Sequence, residues 1–339
     1  PTAYQTSARR WKPDPEVWAL LRDRSVDVPA TVSFIGFESK GAHRPVSRGG
    51  VKLMTSSDPV GALIFYRDLP LPFSHTSANV DQIRWRLGDV TVADPPPTLL
   101  KDMKVCANCH CFTPDGKTLA MDVDYGNDKG SYVITEIALQ TILTKEKVIS
   151  WTDYRREDNQ PTFGLLSQIS PDGRYVLSTV KDRSVFLPVP DLYYSQRFFP
   201  VKGILVTYDR QAKSFSPLPG AVDRRFVQSN PVWSPDGRTI LFARSTAHEL
   251  RNLKDQSAVI IKMEEAKEFF EGGRRFRYDL YRMPFNGGKG GTPELLRGAS
   301  ANGRSNYFPK FSPDGKWIVF CQADSFMLLQ PDSELFIMP

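Results

Sequence analysis

The chain of 339 residues lacks the runs and motifs that mark several common functional classes. No hydrophobic run is long enough to cross a bilayer, so a membrane-spanning helix is not expected. Lysine and arginine outnumber aspartate and glutamate by 44 to 38, but they are spread along the chain, and no basic run typical of nucleic-acid binding is present. This mild excess of positive charge suits an acidic partner protein. No Gly-x-Ser-x-Gly motif marks a serine hydrolase.

Cysteine is scarce, and its placement is informative. Three of the four cysteines, Cys106, Cys109 and Cys111, fall within six residues, and Cys321 stands alone. A disulfide framework distributes its cysteines so that they join distant loops. The cluster therefore indicates a local cofactor or metal site and not a set of disulfides.

No signal peptide is visible at the start of the chain. The sequence opens at Pro1 without a methionine, so we expect a processed or partial product, and the missing leader does not count against export. The stretch from Glu334 to Pro339 is typical of a strand with no turn after it. Either the natural chain continues there, or this strand completes a sheet begun elsewhere.

One tetrapeptide organises the sequence. Four copies of Ser/Thr-Pro-Asp-Gly begin at Thr113, Ser170, Ser234 and Ser312, at intervals of 57, 64 and 78 residues. Proline presets φ, aspartate bonds the local backbone and glycine accepts a positive φ, so each copy predicts a tight turn. Each turn follows an apolar or aromatic residue and precedes an alternating segment typical of a strand. These segments are Lys117 to Asp122, Arg174 to Thr179, Arg238 to Ala243 and Lys316 to Cys321.

A hairpin signal repeated at this interval is typical of a β-propeller, in which each repeat forms one blade. Unrelated turns would not share the same context four times. Further strands are predicted at Val32 to Phe37, Ala62 to Asp68 and Gln82 to Val90. We expect an all-β fold, a propeller of about six blades over residues 31–339, after an N-terminal extension over residues 1–30. The turn-bearing blades begin at about residue 104.

Two insertions lengthen the repeats. Residues Phe186 to Gly203 are rich in aromatic residues and proline, and we expect an ordered loop packed on one face. In Asp255 to Gly272 the apolar residues recur at roughly helical spacing, which predicts a helix covering the side of the fold.

Residues 106–110 form the attachment pattern of a c-type haem, Cys106-Ala107-Asn108-Cys109-His110. Two thiols at this spacing reach the two vinyl groups on one porphyrin edge, and the adjoining histidine can place a nitrogen on iron. The sequence therefore predicts one covalent haem c, with thioethers at Cys106 and Cys109 and a metal ligand at His110.

Two other uses of the cysteine pair stay open. Structural zinc needs a second ligand pair, but Cys321 is isolated, and His110 and Cys111 are expected on opposite faces of a strand. A redox dithiol would need a βαβ setting, which the pattern does not show.

Alignment on the turns predicts where the motif lies in the fold. His110-Cys111-Phe112 corresponds to Pro231-Val232-Trp233 and to Pro309-Lys310-Phe311, so His110 is expected to enter the innermost strand of its blade. The haem is then expected near one mouth of the central channel. The equivalent segments of other blades flank it: Gln168, Gln228 to Asn230, and Ser305 to Tyr307.

The sequence does not decide the sixth iron ligand. The candidates, all of usual axial types, are His75, Met103, Met121, Tyr193, Tyr194 and Tyr307. His43 and His248 are expected on exposed loops. The segment from Asp122 to Gly130 has oxygen atoms that suit calcium but lacks the EF-hand spacing and terminal glutamate, which favours a plain acidic hairpin loop.

The repeats resemble the TolB-like, PD40-type propeller blade, which has a Ser-Pro-Asp-Gly turn between its two inner strands, over about residues 104–339. Together with the Cys-x-x-Cys-His motif, they resemble exported bacterial cytochromes with such blades, a group that includes the propeller-bearing α-subunit of hydrazine synthase. Three further segments share this resemblance: Ile64 to Asp68, Val180 to Phe186, and Tyr278 to Tyr281.

The resemblance implies a periplasmic or otherwise exported protein whose haem works in redox chemistry. In hydrazine synthase the histidine of this motif is associated with zinc and does not bind the iron. By resemblance, His110 is a ligand of iron or of zinc, while Cys106 and Cys109 stay thioethers. The chain departs from that subunit, because it has one haem motif where the subunit has two and is much shorter.

Three functions are compatible with these features. The first is an electron-transfer or haem-bearing subunit of an exported redox complex, with redox proteins or other subunits as partners. The second is an enzyme whose substrate reaches an open haem iron. The third is a TolB-like interaction module with a structural haem.

Overall fold

The computed structural model describes residues 6–8, 11–38, 44–92, 94–103, 109–138, 141–160 and 162–339. These residues form two compact units. One contains the described residues up to Leu63 and a short stretch that begins at Asp89, and the other contains Ile64–Gly88 and the described residues from Asp94 to Pro339. The first unit therefore extends past the 30 residues that the sequence assigns to an extension.

The first unit contains helix α1 (Pro15–Arg24) and a hairpin of β1 (Ala30–Phe37) and β2 (Pro45–Leu53). Asp14 caps α1, because its carboxylate accepts the amide hydrogen of Val17 at 2.8 Å. Strand β1 confirms the strand predicted at Val32 to Phe37. Most side chains of the hairpin are exposed, so little apolar burial stabilises it.

After the hairpin the chain forms antiparallel meanders in sequence order. The first contains β3 (Leu63–Asp68), β4 (Arg84–Asp89) and β5 (Thr98–Lys101). The second contains β6 (His110–Phe112), β7 (Thr118–Asp122), β8 (Ser131–Glu136) and β9 (Val148–Ser150). The third contains β10 (Leu165–Ile169), β11 (Tyr175–Pro188), β12 (Gln196–Asp209) and β13 (Ser214–Pro217).

Two further meanders follow. The fourth contains β14 (Phe226–Trp233), β15 (Thr239–Thr246), β16 (Asp279–Pro284) and β17 (Glu294–Leu295). The fifth contains β18 (Ser305–Phe311), β19 (Ile318–Ala323) and β20 (Glu334–Met338), the last of which confirms the predicted terminal strand. Helices are few and short in this part of the chain, namely α2 (Phe73–Ala78) and α3 (Lys267–Phe270).

The four tetrapeptides form the turns between the first and second strands of their meanders. In each, the glycine amide donates to the carbonyl of the first residue at 2.8 to 2.9 Å, and the glycine φ lies between 69° and 71°. The aspartate carboxylate accepts from the side chain of Ser or Thr and from the amide two residues later. These contacts are the ones that the tight-turn prediction requires.

The first strands of successive meanders lie side by side, in the order β6, β10, β14 and β18. A single parallel bridge between Gly203 and Val227 also joins β12 to β14, so the third and fourth meanders share one eight-stranded sheet. The fold is mostly β, and this order is consistent with an all-β propeller. The described strands form five meanders and the N-terminal hairpin, and none of their sheets is closed.

The apolar core lies between successive meanders. Trp85 and Leu119 belong to the cluster between the first and second, and Tyr132 and Val176 to the cluster between the second and third. The largest cluster links the third, fourth and fifth meanders, and a further one links the third and fourth. Because full burial of one such side chain contributes about 1.5–3 kcal/mol, these contacts hold the sheets face to face.

Both insertions differ from their predictions. Phe186 to Gly203 is not a loop, because β11 and β12 continue through it as a long hairpin in which Leu187 and Phe199 are fully buried. Residues Asp255 to Gly272 form only a 3₁₀ turn at Met263–Glu265 followed by α3. Glu265 explains the short helix, since its carboxylate accepts backbone amides of Lys254 and Lys262 and fixes the preceding turns.

Candidate functional site

The haem motif reaches the described structure at Cys109. Cys106 lies outside the described residues, whereas Cys109 and His110 lie inside them. Strand β6 begins at His110 and is the first strand of its meander, as the alignment on the turns predicts.

The first strands of the third, fourth and fifth meanders share one residue with a positive φ. Leu166, Asn230 and Phe308, which align with Cys109, have φ values of 59°, 53° and 51°, and the pairing register shifts beside each of them. A bulge of this kind redirects side chains out of the regular alternation. Cys109 therefore occupies the position at which the other inner strands bulge.

Cys109 is bound to Asp122 at the end of β7. The Cys109 carbonyl accepts the Asp122 amide at 3.0 Å, and the two side chains are also hydrogen-bonded. The Ser167 hydroxyl donates to the same carboxyl group at 3.3 Å. Because Asp122 is buried, its pKa is well above the ordinary value.

His110 and Cys111 point to opposite faces of β6, as expected for neighbours in a strand. The His110 ring packs edge-on against Phe65 with 4.7 Å between ring centroids, and Phe112 lies 5.4 Å from the same Phe65 ring. His110 therefore faces the first meander through an aromatic contact.

Cys111 faces the third meander. Its sulfur accepts the Ile169 amide at 3.2 Å and lies 3.3 Å from the Tyr132 hydroxyl. Burial raises the pKa of the Cys111 thiol and of the Tyr132 hydroxyl, so both are neutral at physiological pH. Cys111 is thus a structural thiol in the contact between meanders.

Lys310 brings a positive charge to the same place from β18. It aligns with Cys111 in β6 and Gln168 in β10, and its ammonium group donates to Gln168 Oε1 at 3.1 Å. Its charge acts on the thiols of Cys111 and Cys109. Desolvation by the surrounding protein lowers the pKa of Lys310, although solvent reaches its side chain. No ion pair among the described residues includes Lys310.

Two candidates for the sixth iron ligand lie on the His110 side. Met121 is fully buried and is the direct strand partner of His110, and Met103 packs against the same apolar cluster. His75 is exposed on α2, and Tyr193 is exposed in the loop between β11 and β12, beside the half-buried Tyr194. Tyr307 is buried, with its hydroxyl bonded to Ser333 at 3.1 Å.

In the acidic loop from Asp122 to Gly130, the carboxylates of Asp124 and Asp128 are bound by neighbouring side chains. Asp124 pairs with Lys129, and Asp128 accepts from Thr152 at 2.8 Å and from the Ser150 hydroxyl. Within the described ranges, no three His, Cys, Asp or Glu side chains are grouped to hold a metal ion. Calcium and zinc both stay predictions. Of the remaining histidines, His248 is half-buried and bonded to Glu268 at 2.8 Å, not exposed, and His43 lies outside the described residues.

Sequence reasoning missed the polar neighbours of the motif. From the sequence, Asp122 is only a candidate calcium ligand and Lys310 only an aligned position, because the pattern of one strand does not show what another strand contributes. The repeat alignment carried the signal for Lys310, since residues aligned on the turns of a propeller face the same channel.

Comparison with known proteins gives structural similarities at low sequence identity. No family model and no curated protein matches the chain. Among solved structures, TolB from Acinetobacter baumannii matches at 15% identity and a TM-score of 0.45, covering 81% of this chain and 49% of that one. This chain therefore spans about half of the length of that relative.

Two further structures are similar at the same level. A putative TolB from Agrobacterium tumefaciens matches at 15% identity and a TM-score of 0.33, over 71% of this chain and 79% of that one. Kuenenia stuttgartiensis hydrazine synthase matches at 14% identity and a TM-score of 0.42, over 84% of this chain and 68% of that one. The structural neighbours are thus TolB-like propeller proteins and include hydrazine synthase. Within the described residues, no helix has the length and apolar character to span a membrane.

Proposed function

We propose that this chain is a β-propeller that carries one covalent haem c and acts as an electron-transfer or haem-bearing subunit of an exported redox complex. The observation that carries the proposal is the Cys106 to His110 motif, whose histidine begins an inner strand. Thioether attachment needs two thiols at this spacing beside an imidazole. Its partners would be a redox protein or other subunits of the complex.

The chemical types of the described residues around the motif suit a haem. Cys109 offers a thiol at the bulge position, and Phe65 and Phe112 give the imidazole of His110 an aromatic environment. Lys310 offers a cation to a haem propionate and has no carboxylate partner among the described residues. When bound, a haem supplies a one-electron redox couple.

The neighbouring side chains would tune that couple. Burial holds the pKa of Asp122 well above its ordinary value, which disfavours a negative charge beside Cys109. Thioether formation would replace the Cys109 thiol hydrogen with carbon, and Asp122 would keep the Ser167 hydroxyl as a partner. His110 stays assigned as the ligand of iron or, by resemblance, of zinc.

The direct test is a pyridine haemochrome spectrum together with an intact mass of protein produced with the cytochrome c maturation system. We expect a c-type spectrum and the added mass of one haem. Cys106→Ala and Cys109→Ala should each remove one thioether, which shifts the haemochrome band, and the double variant should lack covalent haem. Cys321→Ala is the matched control and should keep the full adduct. A wild-type protein without added mass would contradict the proposal.

A carbon monoxide difference spectrum then separates electron transfer from catalysis at an open iron. An electron-transfer role predicts a six-coordinate low-spin haem that does not bind carbon monoxide readily. Rapid binding would instead favour the enzyme alternative.

A further inference from the structure

A basic groove lies between the third and fourth meanders, separate from the residues around Cys109. Its volume is about 710 Å³, and it is lined by Lys181 of β11, Lys202 of β12, the segment before β14 and the segment after β15. We call it the basic groove. The size exceeds that of a simple inorganic ion and is within the range of small-molecule sites, which are about 300–1,000 Å³.

Positive side chains dominate the lining. Four are lysine or arginine, namely Lys181, Lys202, Arg224 and Arg225, and the one acidic residue is Glu249. Two of the carboxylates that balance these cations, Asp158 and Asp223, pair with Lys181 and Arg225 but are not part of the lining. The groove therefore presents cations to a ligand, while the counter-charges of Lys181 and Arg225 lie outside it.

The cations differ in their availability. Lys181 is buried and bonded to Asp158 at 2.8 Å and to the Arg155 carbonyl at 3.1 Å, so it provides a fixed charge. Arg224 is exposed and donates to the neutral Gln160 side chain at 3.3 Å. Lys202 pairs with Glu249, whose side chain is 64% exposed, and such surface pairs contribute little. Arg224 and Lys202 are thus the groups that a ligand can recruit.

Apart from the polar side chains of Gln160 and His248, the remaining lining is apolar or backbone. Gly203 and Ile204 are buried, and the half-buried ring of Phe226 lies beside them in the lining. An anion with a carbon skeleton could bury part of that skeleton here while its charged groups contact Arg224 and Lys202. Arginine is suited to such a ligand, because its planar guanidinium binds carboxylate and phosphate oxygens in pairs.

We propose that the basic groove binds a small organic anion with at least two carboxylate or phosphate groups. This site is independent of the proposed haem, since none of its lining residues belongs to the haem motif or its contacts.

Calorimetric titration of the full chain with citrate and, separately, with pyrophosphate tests the proposal and distinguishes carboxylate from phosphate. We expect saturable binding of at least one probe at low ionic strength, with weaker binding as salt screens the charges. Arg224→Gln should weaken that binding by about tenfold, because a charge-assisted hydrogen bond is lost.

The variants make the result decisive. Lys202→Gln should weaken binding in the same direction, whereas Arg297→Gln, which removes an exposed arginine that does not line the groove, should leave it unchanged. Circular dichroism of each variant confirms folding. Absence of saturable binding of both probes, or equal affinity of wild type and Arg224→Gln, would overturn the proposal.

Discussion

Strands β14 and β6 hold the same place in their meanders but are stabilised differently. In β14 every residue except Phe226 is buried, whereas the three residues of β6 are all half-buried. At the bulge, Asn230 of β14 accepts the Phe308 amide at 3.1 Å and donates to Ser229 at 3.2 Å and to Met327 at 3.3 Å. Cys109 at the same position is bound to Asp122 instead.

The difference shows that equivalent positions of the repeat can serve either packing or chemistry. The repeat fixes a turn and a neighbouring strand, but it does not fix which side chain stands at the position that bulges in β10, β14 and β18. In β14 that side chain, Asn230, links adjacent meanders. The aligned residue directly before β6 is Cys109, whose thiol contacts the buried carboxyl group of Asp122. The following predictions test this contrast, from the largest expected effect to the smallest.

The largest effect is expected at the residue that ends each of the two strands. Trp233 is buried, and its ring nitrogen donates to the Gln168 carbonyl at 3.2 Å, so Trp233→Ala should lower the free energy of unfolding by about 3–5 kcal/mol. Phe112→Ala, at the half-buried equivalent position, should lower it by about 1–2 kcal/mol. Urea denaturation measures both values. Equal losses would remove the proposed contrast between the strands.

The second prediction concerns pH. Burial raises the pKa of Asp182 from 3.8 to about 7, although the amides of Phe163 and Gly164 donate to its carboxyl group. A folded pKa above the unfolded value stabilises the fold fully below about pH 4, and this contribution disappears as the pH rises through about 7. In the wild type this lowers the free energy of unfolding as the pH rises from 4 to 8. In Asp182→Asn that decrease should be smaller by about 2–4 kcal/mol.

The control for this pH effect is Asp81→Asn, which alters an exposed aspartate. It should leave the pH dependence of unfolding as in the wild type. If the free energy of unfolding of Asp182→Asn depended on pH as in the wild type, the Asp182 carboxyl group would be ionised in the folded state.

The third prediction concerns the bulge position itself. Asn230→Ala leaves the partly buried Phe308 amide without its partner and places alanine at a φ of 53°, so the free energy of unfolding should fall by about 2 kcal/mol. Cys109→Ala should change the stability of the haem-free protein by less than about 1 kcal/mol, since Cys109 is only half-buried and Asp122 keeps the Ser167 hydroxyl as a partner. Thermal or urea unfolding gives both values, and a larger loss at Cys109 would assign it a packing role.

The smallest effect on stability is expected at Lys310. Lys310→Met removes a cation whose charged form burial disfavours, so the free energy of unfolding at pH 7 should change by less than about 1 kcal/mol. In the haem-loaded protein the midpoint potential should become more negative, because a positive charge near a haem favours its reduced state. Lys316→Met, an exposed change in the following turn, should leave the potential unchanged. Identical potentials in the two variants would exclude Lys310 from the haem environment.

Much of the fold could be predicted where the sequence repeats. The turns at Thr113, Ser170, Ser234 and Ser312 and the strands that follow them agree with the structure, since proline, aspartate and glycine dictate local geometry. The two insertions could not be predicted, because composition does not distinguish an aromatic loop from two continued strands that bury Leu187 and Phe199. For the site, the alignment of the repeats predicted that His110 begins the first strand of its meander. The alignment did not predict the contact of Asp122 with Cys109 or that of Lys310 with Gln168, because these contacts join different segments of the chain.

The sequence by itself determined the local features of this protein: the turns, the alternation after them, and the spacing of Cys106, Cys109 and His110, all of which depend on neighbours along the chain. The tertiary structure alone decided which side chains meet across strands. It brings Lys310 of β18 to Gln168 of β10, 142 residues apart, and brings Cys111 to Ile169. Such contacts depend on how the sheets pack around one another, and the free energy of that packing is shared among many buried residues and is not encoded in one motif.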